Sequence, residues 1–436
     1  MNCHQQHSIF KFNKKGLTII GLFLILWLAF HVRSSWVLYN VFNPDIGYDG
    51  LRYQWIAKNL IDHKGFGYYP NQPSSWRPPG YPFLLYGIYS LLGHSIHLVR
   101  LVQAWIGTAI CFIIFLLTRK CCRDMAFPNS IALLAAFLYA VNFYSVFVNQ
   151  ILYSELFNSF LILLSIYLFI LANEAENRKF YILASLASLT LWYAVLTRPA
   201  NILFWLWVGS WFLIQNRNDL KRIPKAILIV LFFFAVTVLP WTIRNYHLHK
   251  KFLLISSNGG FIFHMAHHPY SEGGFIPEGP TRYTPEQLDQ LNGLSEVDRQ
   301  NKNFQFGLEW IKKNPRRELE LIFLKQKRLW TNIENINIFY DTLPHWPFPL
   351  LTFHFFLIFA LPGLYFASRH IKYFTLPLLY ILNHSLVISF IYLYQGSRMR
   401  AALLPLLAIF AAIGIIYLGA RLFQIMAKRN PLRISA

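Results

Sequence analysis

The chain has 436 residues, 55% of them hydrophobic and 18% aromatic, and only 14% are charged. An ordinary soluble domain carries about 25% charged residues, so this composition excludes one and points to a membrane. The net charge of +21 does not imply nucleic acid, because the Lys and Arg flank long apolar runs instead of forming one basic face.

In chain order, Leu17 to Phe30 is apolar and follows Lys11, Lys14 and Lys15. No small-x-small cleavage site follows it, and apolar residues resume at Trp36 to Tyr39. An uncleaved first span is expected rather than a signal peptide. A spanning helix needs about 20 mostly apolar residues. Runs of that kind lie near 17–39, 98–118, 129–148, 151–172, 180–196, 199–215, 226–242, 347–368, 373–394 and 401–424. Tyr81 to Leu92 is shorter and reads as an interfacial or re-entrant helix, with a true span as the alternative. The expected fold is therefore an all-α polytopic membrane protein of about ten transmembrane helices. Residues 1–242 form an N-terminal transmembrane module, 243–346 a long outer loop with amphipathic helices, and 347–436 a C-terminal helical group.

Charge sets the orientation. With both termini inside, the cytoplasmic segments hold Lys11/Lys14/Lys15, Arg119/Lys120/Arg123, Arg178/Lys179, Arg217/Lys221/Arg222/Lys225, Arg369/Lys372 and Lys428/Arg429/Arg433. The short outer connections hold only Arg198 and the Arg398/Arg400 pair, the asymmetry that the positive-inside rule requires. Two outer segments are long, 40–97 and 243–346. In the first, Tyr53, Ile56, Ala57, Leu60 and Ile61 share one helical face, with Arg52, Gln54, Lys58 and Asn59 opposite, which predicts a helix lying on the membrane surface. In the second, Leu319, Ile322, Phe323, Leu329 and Trp330 make another apolar stripe near Lys325.

This topology gathers Asp49, Arg77, Glu155, Arg198, Arg244, Asn245, Asn258, Lys325, Arg398 and Arg400 at or near one membrane face. Charges bordering spanning helices are costly, so such a cluster is a site hypothesis. The plainer reading of any single arginine is that it snorkels to lipid phosphate. His264, His267 and His268 offer an H-x-x-H-H run, but without a helical pattern or a nearby acidic ligand to suit zinc. Cys3, Cys111, Cys121 and Cys122 have no metal-ligand spacing and no disulfide pattern.

Several motifs carry a resemblance. Tyr48-Asp49, Tyr53, Ala57-Lys58-Asn59-Leu60 and Gly65-Phe66-Gly67 are followed by Arg77-Pro78-Pro79-Gly80-Tyr81-Pro82 and Leu196-Thr197-Arg198-Pro199. Pro240-Trp241-Thr242-Ile243-Arg244-Asn245, Ser257-Asn258-Gly259-Gly260, Asn314-Pro315, Lys325 and Arg398-Met399-Arg400 complete the ordered set. It resembles the GT-C membrane glycosyltransferases, in particular the bacterial group related to protein O-mannosyltransferases, aminoarabinose transferases and lipopolysaccharide galacturonosyltransferases. Two departures stand out. Relatives often have Asp-Glu where this chain has Asp49-Gly50, and Pro405 comes later after Arg398-Met399-Arg400 than their proline does.

The resemblance implies inverting transfer of a sugar from a polyprenyl-phosphate donor to a lipid, glycan or protein acceptor on the non-cytoplasmic face. No glycine-rich nucleotide loop precedes a helix, which leaves a nucleotide-sugar site without support. Such transfer needs a carboxylate to take the acceptor's proton, a role given to Asp49, with an N-cap as its plainer role. It also needs cations against the leaving phosphate, where Arg offers a bidentate fork. Arg77, Glu155, Arg198, Arg244, Asn258, Lys325, Arg398 and Arg400 are the expected substrate-binding residues. At Glu155 the resemblance leaves room for a divalent metal ion, and it assigns no other cofactor. Two other classes compete. A lipid-linked glycan flippase or transporter would place polar residues or broken helices at mid-membrane, where Asn383-His384 is the main such pair. An O-antigen polymerase or ligase would share the outer arginines but leave Asp49 and the Arg-Pro-Pro-Gly-Tyr-Pro motif unexplained.

Overall fold

Each of the ten apolar runs forms helix in a computed structural model of the protein, which describes residues 14–39, 47–273, 282–331, 353–392 and 396–429. Cys3, Lys11, Arg433 and the first residues of the run at 347–368 lie outside them. The first half holds α1 (Lys14–Tyr39), α2 (Tyr48–Ile61), α3 (Gly80–Leu92), α4 (Ile96–Cys121), α5 (Pro128–Ala140), α6 (Phe143–Phe147), α7 (Ser154–Glu174), α8 (Asn177–Thr197) and α9 (Phe204–Gln215). Then come α10 (Arg222–Thr237), α11 (Leu239–His249), α12 (Gly259–Ala266), α13 (Pro285–Leu291), α14 (Glu296–Lys313) and α15 (Pro315–Thr331). The chain closes with α16 (Phe353–Ala367), α17 (Ile371–Phe390) and α18 (Leu404–Arg429).

Among the described residues, seven stretches are long and apolar enough to cross a membrane, and one of them, Phe353–Phe390, consists of α16 and α17. The other two of the ten runs rest on α5 and α9, of 13 and 12 residues. The run at 129–148 is broken because Asn142 accepts from the Ser145 backbone N–H (3.0 Å) and starts α6 afresh. The run at 199–215 begins as a 3₁₀ turn, Pro199–Leu203, because proline cannot continue α8. A single large core joins these helices through fully buried residues such as Ile114, Leu191, Phe204, Phe356, Phe374 and Phe410.

The helix ends sort by charge. Lys120 and Arg123, where α4 ends, pair with Glu174 at the end of α7. Glu155 stands at the other end of that 21-residue helix, about 30 Å away at 1.5 Å per residue.

Two amphipathic faces differ from expectation. The stripe of α2 is covered by protein: Tyr53 and Ala57 pack with Tyr81 and Leu85 of α3, and Ile56 packs with Trp192 and Trp241. Asn59, expected on the polar face, is buried and donates to the Gly67 carbonyl at 2.8 Å, holding the following loop against the helix. On α15 the buried face runs through Glu318, Leu321, Lys325 and Leu329, while Leu319 and Phe323 are exposed. Two charged side chains hold that face because each finds a partner there: Glu318 on His267 and Lys325 on the Ser389 carbonyl.

Candidate active site

The first carboxylate comes from the opening turn of α2. Gly47, not Asp49, is the N-cap, and no side chain caps the helix. Gly47 has φ +76°, and a Cβ there would meet the Tyr153 hydroxyl at 2.5 Å, so only glycine fits this entry. Asp49 is thereby released from capping. Its Oδ1 accepts from Arg77 Nη2 and its Oδ2 from Arg398 Nη2 at 2.9 Å. Arg77 is aimed by Tyr68, whose hydroxyl accepts from Nε at 2.7 Å. Its backbone is fixed by Gly80, where a Cβ would lie 2.4 Å from Thr197 Oγ1 and 2.7 Å from the Thr197 nitrogen. That close approach sets the Arg-Pro-Pro-Gly segment beside Arg198.

The second carboxylate is Glu155, in the first turn of α7, where the helix dipole favours a negative charge. It is 3% exposed. Its Oε1 accepts from Arg398 Nε (2.8 Å) and forms ion pairs with Arg398 Nη2 (2.8 Å) and Arg198 Nη1 (2.8 Å). Arg198 caps the C-terminus of α8, and the Tyr153 ring lies 4.1 Å from the Arg398 guanidinium carbon. Five charged groups thus form one chain, Arg77–Asp49–Arg398–Glu155–Arg198. Three guanidiniums against two carboxylates leave one net positive charge. Burial alone would raise the Asp49 carboxyl, but Arg77 and Arg398 outweigh it and hold it below the usual carboxylate range.

Beneath this chain a small pocket is lined by Glu155, Asn158, Arg198, Asn201, His384 and Arg398. Its free volume of about 20 Å³ is room for one water molecule. Glu155 Oε2 is buried without a hydrogen-bond partner. A divalent ion does not fit these residues well. Arg398 already sits between the two carboxylates, and among the described residues no three His, Cys, Asp or Glu side chains group as a metal site.

The architecture has solved counterparts. The archaeal oligosaccharyltransferase AglB from Archaeoglobus fulgidus, in complex with an inhibitory peptide and a dolichol-phosphate, superposes with TM-score 0.54 and 15% identity over 98% of this chain and 53% of its own. Its apo form gives TM-score 0.55 and 15% identity over 97% and 53%. The fold is GT-C. ArnT from Cupriavidus metallidurans, bound to undecaprenyl phosphate, matches with TM-score 0.46 and 14% identity over 92% of this chain and 78% of its own. The family described as dolichyl-phosphate-mannose-protein mannosyltransferase matches residues 76–242. No curated protein sequence matches significantly. The chain spans about half the length of the oligosaccharyltransferase it matches.

The family match includes Arg77, Glu155 and Arg198, whereas Asp49 and Arg398 reach the same site from outside the matched stretch. The other expected residues are held elsewhere. Arg244 donates to Ser75 Oγ (2.7 Å) and stacks on Trp241, in a clamp where Glu296 accepts from Ser74, Ser75 and Ser257. Asn258 opens α12, and its Oδ1 accepts from Ser256 Oγ at 3.0 Å. Lys325 is fully buried, and burial pushes its ammonium down to about 8. Arg400 turns away from the carboxylates and donates to the carbonyls of Arg328 (2.8 Å) and Leu329 (2.9 Å) near the end of α15. The histidine run, expected off any helix, straddles the end of α12. His267 there meets Glu318 at 2.8 Å, an acidic partner the local sequence does not reveal.

Sequence reasoning overlooked residues that hold the backbone leading from α5 into α7. Gln103 donates to the carbonyls of Asn149 (2.9 Å) and Ile151 (3.1 Å) and accepts from the Tyr81 hydroxyl (2.6 Å). Arg100 donates to Gln150 O (2.8 Å), and Arg33 to Ala140 O (3.0 Å). Polar residues inside apolar runs were the available signal: Arg33 in the first run, Arg100 and Gln103 in the second.

Proposed function

We propose that this protein transfers a sugar from a polyprenyl-phosphate donor to a hydroxyl-bearing or similar acceptor, with inversion, on the non-cytoplasmic face of a membrane. The observation that carries the reading is the pair Asp49 and Glu155 bridged by Arg398, with Arg77 and Arg198 flanking. A donor phosphate gains charge as its sugar leaves, and a site of one net positive charge with fork-shaped donors favours that change. In the resting arrangement both Asp49 oxygens are occupied. Donor binding draws Arg77 and Arg398 toward the phosphate and frees a carboxylate oxygen. Asp49 then takes the proton of the acceptor O–H as its oxygen bonds to the anomeric carbon. The bond from that carbon to the phosphate oxygen breaks, and its electron pair stays on the polyprenyl phosphate, opposite Arg77, Arg198 and Arg398.

Two further facts support this reading. The oligosaccharyltransferase of the same fold was captured with a dolichol-phosphate. The basic cluster Lys120 and Arg123 lies at the end of the helices opposite Glu155, an arrangement that under the positive-inside rule supports an outer site. The test is transfer from a synthetic polyprenyl-phosphate sugar by the purified full chain, compared with Asp49→Asn. Absence of transfer by the wild-type chain across a panel of such donors sinks the reading.

A further inference from the structure

We infer that Arg398 is the built-in cation of this site, and that the Asp49–Glu155 pair takes no divalent metal ion. A single nitrogen, Arg398 Nη2, lies 2.9 Å from Asp49 Oδ2 and 2.8 Å from Glu155 Oε1. That is the place an ion bridging the two carboxylates would have to occupy. The guanidinium is held there by Nε on Glu155 and by the Tyr153 ring.

The donor set argues the same way. Oxygen-loving divalent ions take about six ligands. Three of the four carboxylate oxygens already accept from guanidiniums, and only Glu155 Oε2 is free. The nearby amide oxygens are also engaged, since Asn158 Oδ1 accepts from Asn201 Nδ2 (2.7 Å) and Asn201 Oδ1 from the Tyr380 hydroxyl (3.4 Å). Charge weighs further against an ion. The cluster is positive before any metal arrives, and two more charges would enter a largely dehydrated place beside Arg198 and Arg398. A guanidinium stays charged throughout the accessible pH range. The two carboxylates are therefore drawn together whatever the supply of metal.

Manganese binding to the purified, detergent-solubilised full chain tests this, followed by the loss of the free-ion paramagnetic signal. The wild-type chain should show no saturable site tighter than about 1 mM, the weak limit for oxygen-ligand sites. Arg398→Ala leaves two facing carboxylates, and Mn²⁺ should raise the melting temperature of this variant while leaving the wild type unchanged. Stoichiometric uptake by the wild type that Glu155→Gln abolishes would overturn the inference. So would an Arg398→Ala chain that folds and responds to Mn²⁺ no more than wild type. If that variant does not fold, the wild-type titration alone decides. No sugar donor is present, so these outcomes are separate from success or failure of the transfer assay.

Discussion

Arg398 Nε donates to Glu155 Oε1 at 2.8 Å across 243 positions of sequence. The contact ties the turn before the last helix to the first turn of α7, and through Arg398 Nη2 also to α2. Three elements far apart in sequence therefore share one ionic node, and most of the consequences below concern it.

Asp49→Asn keeps the side-chain volume and removes the proton-accepting charge. Because Gly47 caps α2, no cap is lost. Transfer should fall by roughly 10²–10⁴-fold, the usual worth of a positioned base, at similar protein level in the membrane. Equal turnover of the two purified proteins would end the assignment of Asp49 as the base.

Arg398→Lys should rescue only part of what Arg398→Ala loses. An ammonium is a point donor and cannot reproduce Nε and Nη2 together on Glu155 while Nη2 also meets Asp49. One charged hydrogen bond is worth about 1.5–3 kcal/mol, so transfer should drop by at least about tenfold. Rates measured at saturating and at low donor concentration locate the loss in turnover or in binding. Full activity of the Lys variant would show that the fork is not used.

Gly80→Ala tests the scaffold instead of the chemistry. Its new methyl would lie 2.4 Å from Thr197 Oγ1 and 2.7 Å from a backbone nitrogen that cannot move freely. Overpacking of this kind costs about 1–3 kcal/mol, and the shift should part Arg77 from Arg198. A lower unfolding temperature together with weaker transfer is expected. An unchanged melting curve contradicts the close approach.

Lys325 gives a pH signature. Its folded value is about 8 against 10.5 for the free side chain, because burial disfavours the ammonium. The unfolded chain therefore binds more protons between those values, and stability should rise as pH increases from 8 to 10.5. Lys325→Met should flatten that window and stabilise the protein at neutral pH by up to about 3 kcal/mol. Melting temperatures across this range check both, and a flat wild-type profile would contradict a charge-penalised Lys325.

Orientation is tested by cysteine labelling between Asn216 and Arg222 and between Thr284 and Leu294. The first should report the cytoplasmic side and the second the opposite side. Labelling of both from one side removes the topological basis of the proposed reaction.

Much of the helical plan was legible because a membrane span needs a long apolar run whatever it packs against, and such runs survive reading in one dimension. The residues of the ionic node were legible for a related reason. Asp49, Arg77, Glu155, Arg198 and Arg398 each stand beside an apolar run or in a motif of the GT-C type, so cost and pattern mark them singly. Their mutual arrangement was not, since an ion pair across 243 residues leaves no local trace. Arg244 and Arg400 sit in equally suggestive motifs, yet one serves a clamp around Ser75 and the other caps α15.

The sequence by itself determined that the chain is a helical membrane protein with charged residues at the borders of its spans, because hydropathy and helix length are properties of consecutive residues. Only the tertiary structure decided which of those charges meet. It set Asp49 free of the helix cap, put one arginine between two carboxylates, and turned α15 so that Glu318 and Lys325 face inward. Each of these depends on what lies across from a residue: partner groups and close backbone approaches supply the free energy that orients a side chain, and they come from distant parts of the chain.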